Sequence, residues 1–224
     1  MALDMNGYIR EFFEYVTCIG CVSRVVYSQR EKTVCVFTDL SVRWLLEHNE
    51  DFVKDMIELS KRCGVNVIYS DGIFGSFFPF RDSYITVYER DKKYTIYLEN
   101  MSSYYKIMRE CTYDGIFTDA FKNAYSVLIC AMQMVLEERV EDYKGTNDGL
   151  NVVYSNFREA VGYHGSEFLS SMIPYIDYIE NTDADGYMCD CEYSLADVSK
   201  EEMDKIVRDI TDFCCNCISC VFSR

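Results

Sequence analysis

The chain has 224 residues, 49% of them apolar and 15% aromatic, enough to build a buried core and too apolar for a disordered acidic tail. Asp and Glu number 37 against 22 Lys and Arg, a formal charge of −15, and the run from Glu159 to Ser199 holds nine acids and neither Lys nor Arg. A surface of that sign repels phosphate backbones, so direct nucleic-acid binding is not expected; basic partners or cations suit it better.

The opening MALDMNGYIREFF carries acids early and has no apolar h-region, so no signal peptide is expected. No stretch approaches the roughly 18 uncharged apolar residues of a membrane span. The expected setting is therefore cytoplasmic, and the twelve cysteines are read as reduced thiols rather than a disulfide framework.

In chain order, residues 7–16 (GYIREFFEYV) have helical spacing and VVYSQ from Val25 reads as a strand. TVCVFTD is a second strand. A helical stretch begins at Ser41 with Val42, Leu45 and Leu46 on one side. DFVKDMIELSKRC follows as a helix with Phe52, Val53, Met56, Ile57 and Ser60 in register, and Gly64 stops it. VNVIYSD is the next strand. Strand, helix, strand over 33–71 predicts a parallel βαβ unit with a right-handed crossover.

SYITVYER and KKYTIYLEN alternate in type around Asp91-Lys92, which predicts an antiparallel hairpin. Residues 116–143 carry the longest helical pattern, with Phe117, Phe121, Ala124, Leu128, Met132 and Val135 as its stripe, a core pattern rather than a cofactor box. KGTNDG breaks the chain at 144–149, VVYSNF reads as a further strand, and EFLSSMIPYIDYIE as a helix. The expected fold class is α/β: one domain over 1–224 with a mixed sheet, a parallel βαβ unit, an antiparallel hairpin and a long central helix, and a sub-boundary at 144–150.

Four phrases, VVYSQ, CVFTD, VIYSD and VVYSN, end an apolar run in an aromatic, a hydroxyl and a carboxylate or amide. If each is a strand leaving the core, Thr38, Asp39, Ser70, Asp71, Ser155 and Asn156 gather on one rim. In open α/β sheets ligands bind beyond the carboxyl ends of parallel strands, which makes these six the candidate ligand-binding residues. The competing use of such residues is turn formation and helix capping, by Asp39 or Ser41 for example.

Phe37-Thr38-Asp39, Trp44 a few residues on, and the Cys63-Gly64-Val65 turn into the next strand resemble the effector domains of bacterial helix-turn-helix regulators, themselves related to the phospholipase D-like fold. The resemblance covers residues 33–71. It implies a domain that senses small molecules or partners rather than one that catalyses. The catalytic His-x-Lys of the phospholipase D superfamily is absent: of the two histidines, in LEHNED and YHGSE, neither has Lys two residues on. No catalytic residue is carried over. The helix-turn-helix that precedes such domains in the regulators is not found here.

Three further constellations offer chemistry. Cys214, Cys217 and Cys220 form overlapping CxxC spacings, and Cys18-Ile19-Gly20-Cys21 forms another. Met203, Ile206, Val207, Ile210, Phe213, Cys214, Cys217 and Val221 also make one helical stripe, in which cysteine serves as a small apolar residue and Cys215 points elsewhere. Asn181–Glu192 (NTDADGYMCDCE) matches an EF-hand loop at Asp183, Asp185, Gly186 and Glu192, against which stand Pro174 upstream and the strand-like alternation of Tyr187, Cys189, Cys191, Tyr193 and Leu195. His164, near Ser166, offers a general base with no visible orienting acid. There is no GxSxG, Walker loop or GxGxxG.

The expectation is a non-catalytic ligand-sensing or protein-interaction domain in bacterial regulation, with no cofactor and no metal, taking a small molecule or a protein partner and compatible with a homodimer. Two rivals are an acidic inhibitor that mimics nucleic acid in a basic groove, of phage or mobile-element type, and a hydrolase using His164.

Overall fold

The computed structural model describes residues 7–74, 83–143, 149–162 and 198–222. The chain forms two compact units, one of residues 1–92 with 222–224 and one of 93–221. Residues 144–148 of the expected sub-boundary, the segment EFLSSMIPYIDYIE, the EF-hand-like stretch 181–192 and His164 lie outside the described residues.

The first unit holds α1 (Gly7–Thr17), β1 (Val22–Ser28), β2 (Thr33–Thr38), α2 (Val42–His48), α3 (Glu50–Cys63), β3 (Asn66–Asp71) and β4 (Ile85–Glu89). Its sheet has the order β3-β2-β1-β4. β2 and β3 are parallel, from Thr33 opposite Asn66 to Thr38 opposite Asp71, with α2 and α3 between them, as the βαβ reading expects. β1 runs antiparallel to both β2 and β4, so the sheet is mixed.

The helix between the parallel strands ends where the sequence indicates. Gly64 takes φ 64°, and the amides of Gly64 and Val65 bond Lys61 O and Ser60 O, closing the last turn in a conformation that glycine adopts without strain. Phe52 and Met56 of α3 are buried, and Phe52 meets Tyr69 edge-on at 6.2 Å. On α1, Phe13 meets Tyr27 edge-on at 5.7 Å. Tyr27, Val34, Val67 and Tyr69 share one face by strand register, so α1 and α3 cover the same side of the sheet. Trp44 and Leu45 are the buried residues of α2, whereas Leu46 and Ile57 are exposed.

The second unit is helical among the described residues: α4 (Thr95–Asp114), α5 (Phe117–Arg139), α6 (Leu150–Val161) and α7 (Lys200–Phe222), the last residue of which falls in the first unit. α5 is the long central helix, buried at Phe121, Ala124, Leu128, Met132 and Val135 and on further sides at Val127, Cys130 and Met134. Tyr105 of α4 and Thr211 of α7 share a buried hydrogen bond of 2.6 Å, and Phe157 of α6 packs on Phe213 of α7 at 5.9 Å.

Two expectations fail here. KKYTIYLEN is not the second strand of a hairpin but the start of α4, because Leu98, Met101, Tyr105, Met108 and Thr112 sustain a helical period across residues 95–114. SYITVYER does supply β4, which pairs with β1 instead. VVYSNF is not a strand but part of α6, where Leu150, Val153 and Phe157 are buried at helical spacing and Val152 is exposed. Cys215, off the Cys214 and Cys217 stripe by helix geometry, is buried as well, since α7 is enclosed on more than the one stripe.

Burial pushes the thiols of Cys214 and Cys217 well up, each helped by neighbouring cysteines. They behave as core atoms. Replacing both by Ala should lower stability by roughly 1 kcal/mol per site in urea unfolding. Stoichiometric zinc or iron in protein purified without chelator, lost in the double variant, would instead make them ligands.

Candidate functional site

The carboxyl ends of β2 and β3 place Thr38, Asp39, Ser70 and Asp71 side by side, Phe37 opposite Ser70 and Thr38 opposite Asp71. These four sit together on one rim, as the strand-end phrases suggest. Ser155 and Asn156 are not at a strand end; they are exposed residues of α6 in the second unit. The VVYSQ phrase also ends elsewhere, because β1 is antiparallel and Ser28 pairs with Thr33 at the opposite end of β2.

The rim is tied together from within. Thr38 Oγ1 accepts from Leu40 N at 3.1 Å, and Thr38 O accepts from Gly72 N at 3.0 Å. Asp71 Oδ2 accepts from Val42 N at 3.1 Å, which caps α2 from the neighbouring strand. Ser41, the residue at the cap position, makes no side-chain capping bond of its own. His48 lies flat on Trp44 at 4.4 Å, with Nδ1 3.0 Å from Trp44 O.

Asp39 is the group with an unusual environment. It is 5% exposed, and its Oδ2 is 2.6 Å from Arg90 Nη1. Burial pushes its carboxyl above the ordinary value, opposed by the charge and hydrogen bond of Arg90. Arg90 follows β4, donates from Nη1 to Gly20 O at 2.8 Å and lies 3.8 Å over the ring of Phe222. Cys21 completes the neighbourhood: Asp39 N donates to Cys21 O at 3.0 Å, and burial raises the Cys21 thiol despite a hydrogen bond with Thr38. Tyr88 of β4 feels the charges of Arg90 and Asp39.

Sequence reasoning missed Arg90 and the role of Cys21. Arg90 carries no local motif; it reaches Asp39 only because β4 pairs with β1, a long-range choice that spacing does not encode. Cys21 was visible as half of a CxxC but not as a neighbour of Asp39. Among the described residues, no three His, Cys, Asp or Glu side chains are arranged to hold a metal, and no helix is long and apolar enough to cross a membrane.

No family model, curated protein or solved structure matches the chain. What is defined is the class: an α/β protein with a mixed four-stranded sheet and a helical second unit.

Two outcomes test this geometry. Asp71→Ala should lower stability by about 1 kcal/mol through loss of the α2 cap, read as a lower urea midpoint. For Asp39 the folded pKa is raised, so its contribution favours the folded state at low pH and is lost as pH rises from the ordinary Asp range through the folded value. The stability difference between native protein and Asp39→Asn should therefore shift against the native protein as pH rises through that window. A difference independent of pH would show that Asp39 is not buried as described.

Proposed function

We propose that the chain is a non-catalytic interaction domain whose partner presents a basic, amphipathic protein surface. The observation that carries this reading is the outer stripe of α4. Ile96 is 64% exposed and Ile107 43%, both on the side away from the buried Leu98, Met101, Tyr105 and Met108, and Tyr104, 36% exposed, borders that buried face. Glu99, Glu110 and Asp114 flank that stripe, with Lys106 the basic residue among them and held 4.0 Å from Glu110.

An apolar stripe edged by acids suits a helix with one apolar face and Lys or Arg beside it. The overall charge of −15 adds long-range attraction for such a partner. A basic groove that ordinarily holds phosphates is one surface of this kind, which joins this reading to that of an acidic inhibitor. Small-molecule sensing at the strand-end rim is less well supported, because Thr38, Asp39 and Asp71 are each engaged within the chain. The resemblance of residues 33–71 to regulator effector domains favours a regulatory setting.

The test is fluorescence anisotropy with a labelled helical peptide carrying Leu on one face and Lys on the other, titrated with the full chain. Binding should weaken with added salt and fall at least about tenfold in an Ile96→Asp, Ile107→Asp variant, the loss of two buried aliphatic contacts. Equal binding by the variant would remove α4 as the docking surface.

A further inference from the structure

Phe222, the last residue of α7, belongs to the first unit, whose other described residues all precede Lys93. We propose that Phe222 is a strap on that unit. Seated, it closes the buried Asp39–Arg90 pair and locks the backbone segments around it; lifted, it frees them in one local opening. The device is independent of docking on α4.

Arg90 has little freedom left once Phe222 is in place. Its backbone amide donates to Ser23 O at 2.9 Å, which holds the residue against β1. Its Nη1 meets Asp39 Oδ2 at 2.6 Å and Gly20 O at 2.8 Å, so one edge of the guanidinium is occupied. Phe222 covers the flat face, with Arg90 Cζ 3.8 Å from the ring centroid. A guanidinium stacked on a ring keeps its edge available to partners in its own plane, so the stack and the ion pair reinforce each other. The Arg90 and Asp39 side chains are 16% and 8% exposed, and the ring keeps water off the guanidinium face.

The seat also fits the backbone of Phe222. A Cβ on Gly20 would run into the Phe222 carbonyl oxygen and press on the Phe222 Cβ, so this close approach requires glycine. Gly20 is itself held by Arg90 through its carbonyl. The ring and the carbonyl of one residue are thus received by two residues that already touch each other.

The opening is local because the strands keep their own ladders. Asp39 N donates to Cys21 O and Val22 N to Ile19 O, each at 3.0 Å, so the turn before β1 is tied to the end of β2 beside the seat. Cys21, 8% exposed, follows Gly20 directly. With Phe222 lifted, water reaches the guanidinium, its hold on Gly20 O weakens, and the turn carrying Cys21 loosens. A partner that takes up the end of α7 stabilises this open form and so acts on the Asp39 end of the sheet.

The test is thiol trapping of the full chain with iodoacetamide, followed by quenching, unfolding and tryptic digestion. The peptide from Glu11 to Arg24 carries Cys18 and Cys21 and no other cysteine. One label therefore marks the exposed Cys18, and a second marks opening at the buried Cys21. In the unaltered chain the second label should enter while Cys214 and Cys217 stay unlabelled. In Phe222→Ala it should enter about tenfold faster, the fold-change expected from losing one partly buried cation–π stack, with Cys214 and Cys217 still protected. Gly20→Ala keeps the ring but fills the place of the carbonyl, and should speed the second label as much. Phe222→Tyr retains the stack and should label at close to the native rate. Should Phe222→Ala not fold, Gly20→Ala and the unaltered chain decide. A native rate of second labelling in either alanine variant, fast labelling in Phe222→Tyr, or a second label that arrives only together with labels on Cys214 and Cys217 would each overturn the strap.

Discussion

Asp39 and Arg90 meet where the end of β2, the end of β4 and the turn before β1 converge, and that pair organises this end of the first unit. An unpaired carboxylate at 5% exposure is costly, so Asp39 needs a cation in this place. Arg90 supplies the charge and has donors to spare, one of which holds Gly20 O. A lysine presents its donors from a single point and lacks the planar face that lies over Phe222. The pair therefore fixes three backbone segments with one side chain. It also explains why the Asp39 carboxyl remains raised: burial is the larger effect and the guanidinium offsets only part of it.

Asp71, one strand away, is used differently. Its Oδ2 faces the amide of Val42 and stands in for the cap that Ser41 does not supply. The two carboxylates that end parallel strands are thus divided between an ion pair and a helix terminus. Both uses are structural, and both were available to the sequence only as generic possibilities for Asp after a strand. The same phrase ending a strand at Asp39 and Asp71 lies within a helix at Ser155 and Asn156, because five residues do not determine their own conformation. Leu150, Val153 and Phe157 do, by giving the flanking chain a period that only a helix buries.

The parallel β2–β3 pair was legible because the signals reinforced one another: two β-branched runs, an amphipathic helix between them and a glycine at its left-handed end. α5 and α7 were legible for the same reason, their periods running over 23 residues each. Residues 94–99 were misread because Tyr94, Ile96 and Leu98 alternate over a window shorter than two helical turns, and the decisive Met101, Tyr105 and Met108 lie beyond it. The candidate site was half legible. Thr38, Asp39, Ser70 and Asp71 were placed on one rim from strand direction alone, whereas Arg90 enters through antiparallel pairing of β4 with β1, a long-range choice that no local spacing records.

The cysteines show how environment separates residues that the sequence presents as equivalent. None of the ten among the described residues is in a disulfide. Cys214 and Cys217 share the CxxC spacing of Cys18 and Cys21, yet they lie in the middle of a helix, fully enclosed, where consecutive turns keep both sulfurs among core side chains. Neither is open to solvent. Cys35, on the central strand β2, is enclosed as well, and burial pushes its thiol up to about 11. The Cys18–Cys21 pair differs in lying between α1 and β1 rather than within a helix, and in having one member exposed. Spacing alone makes the two pairs alike; backbone conformation and access set them apart.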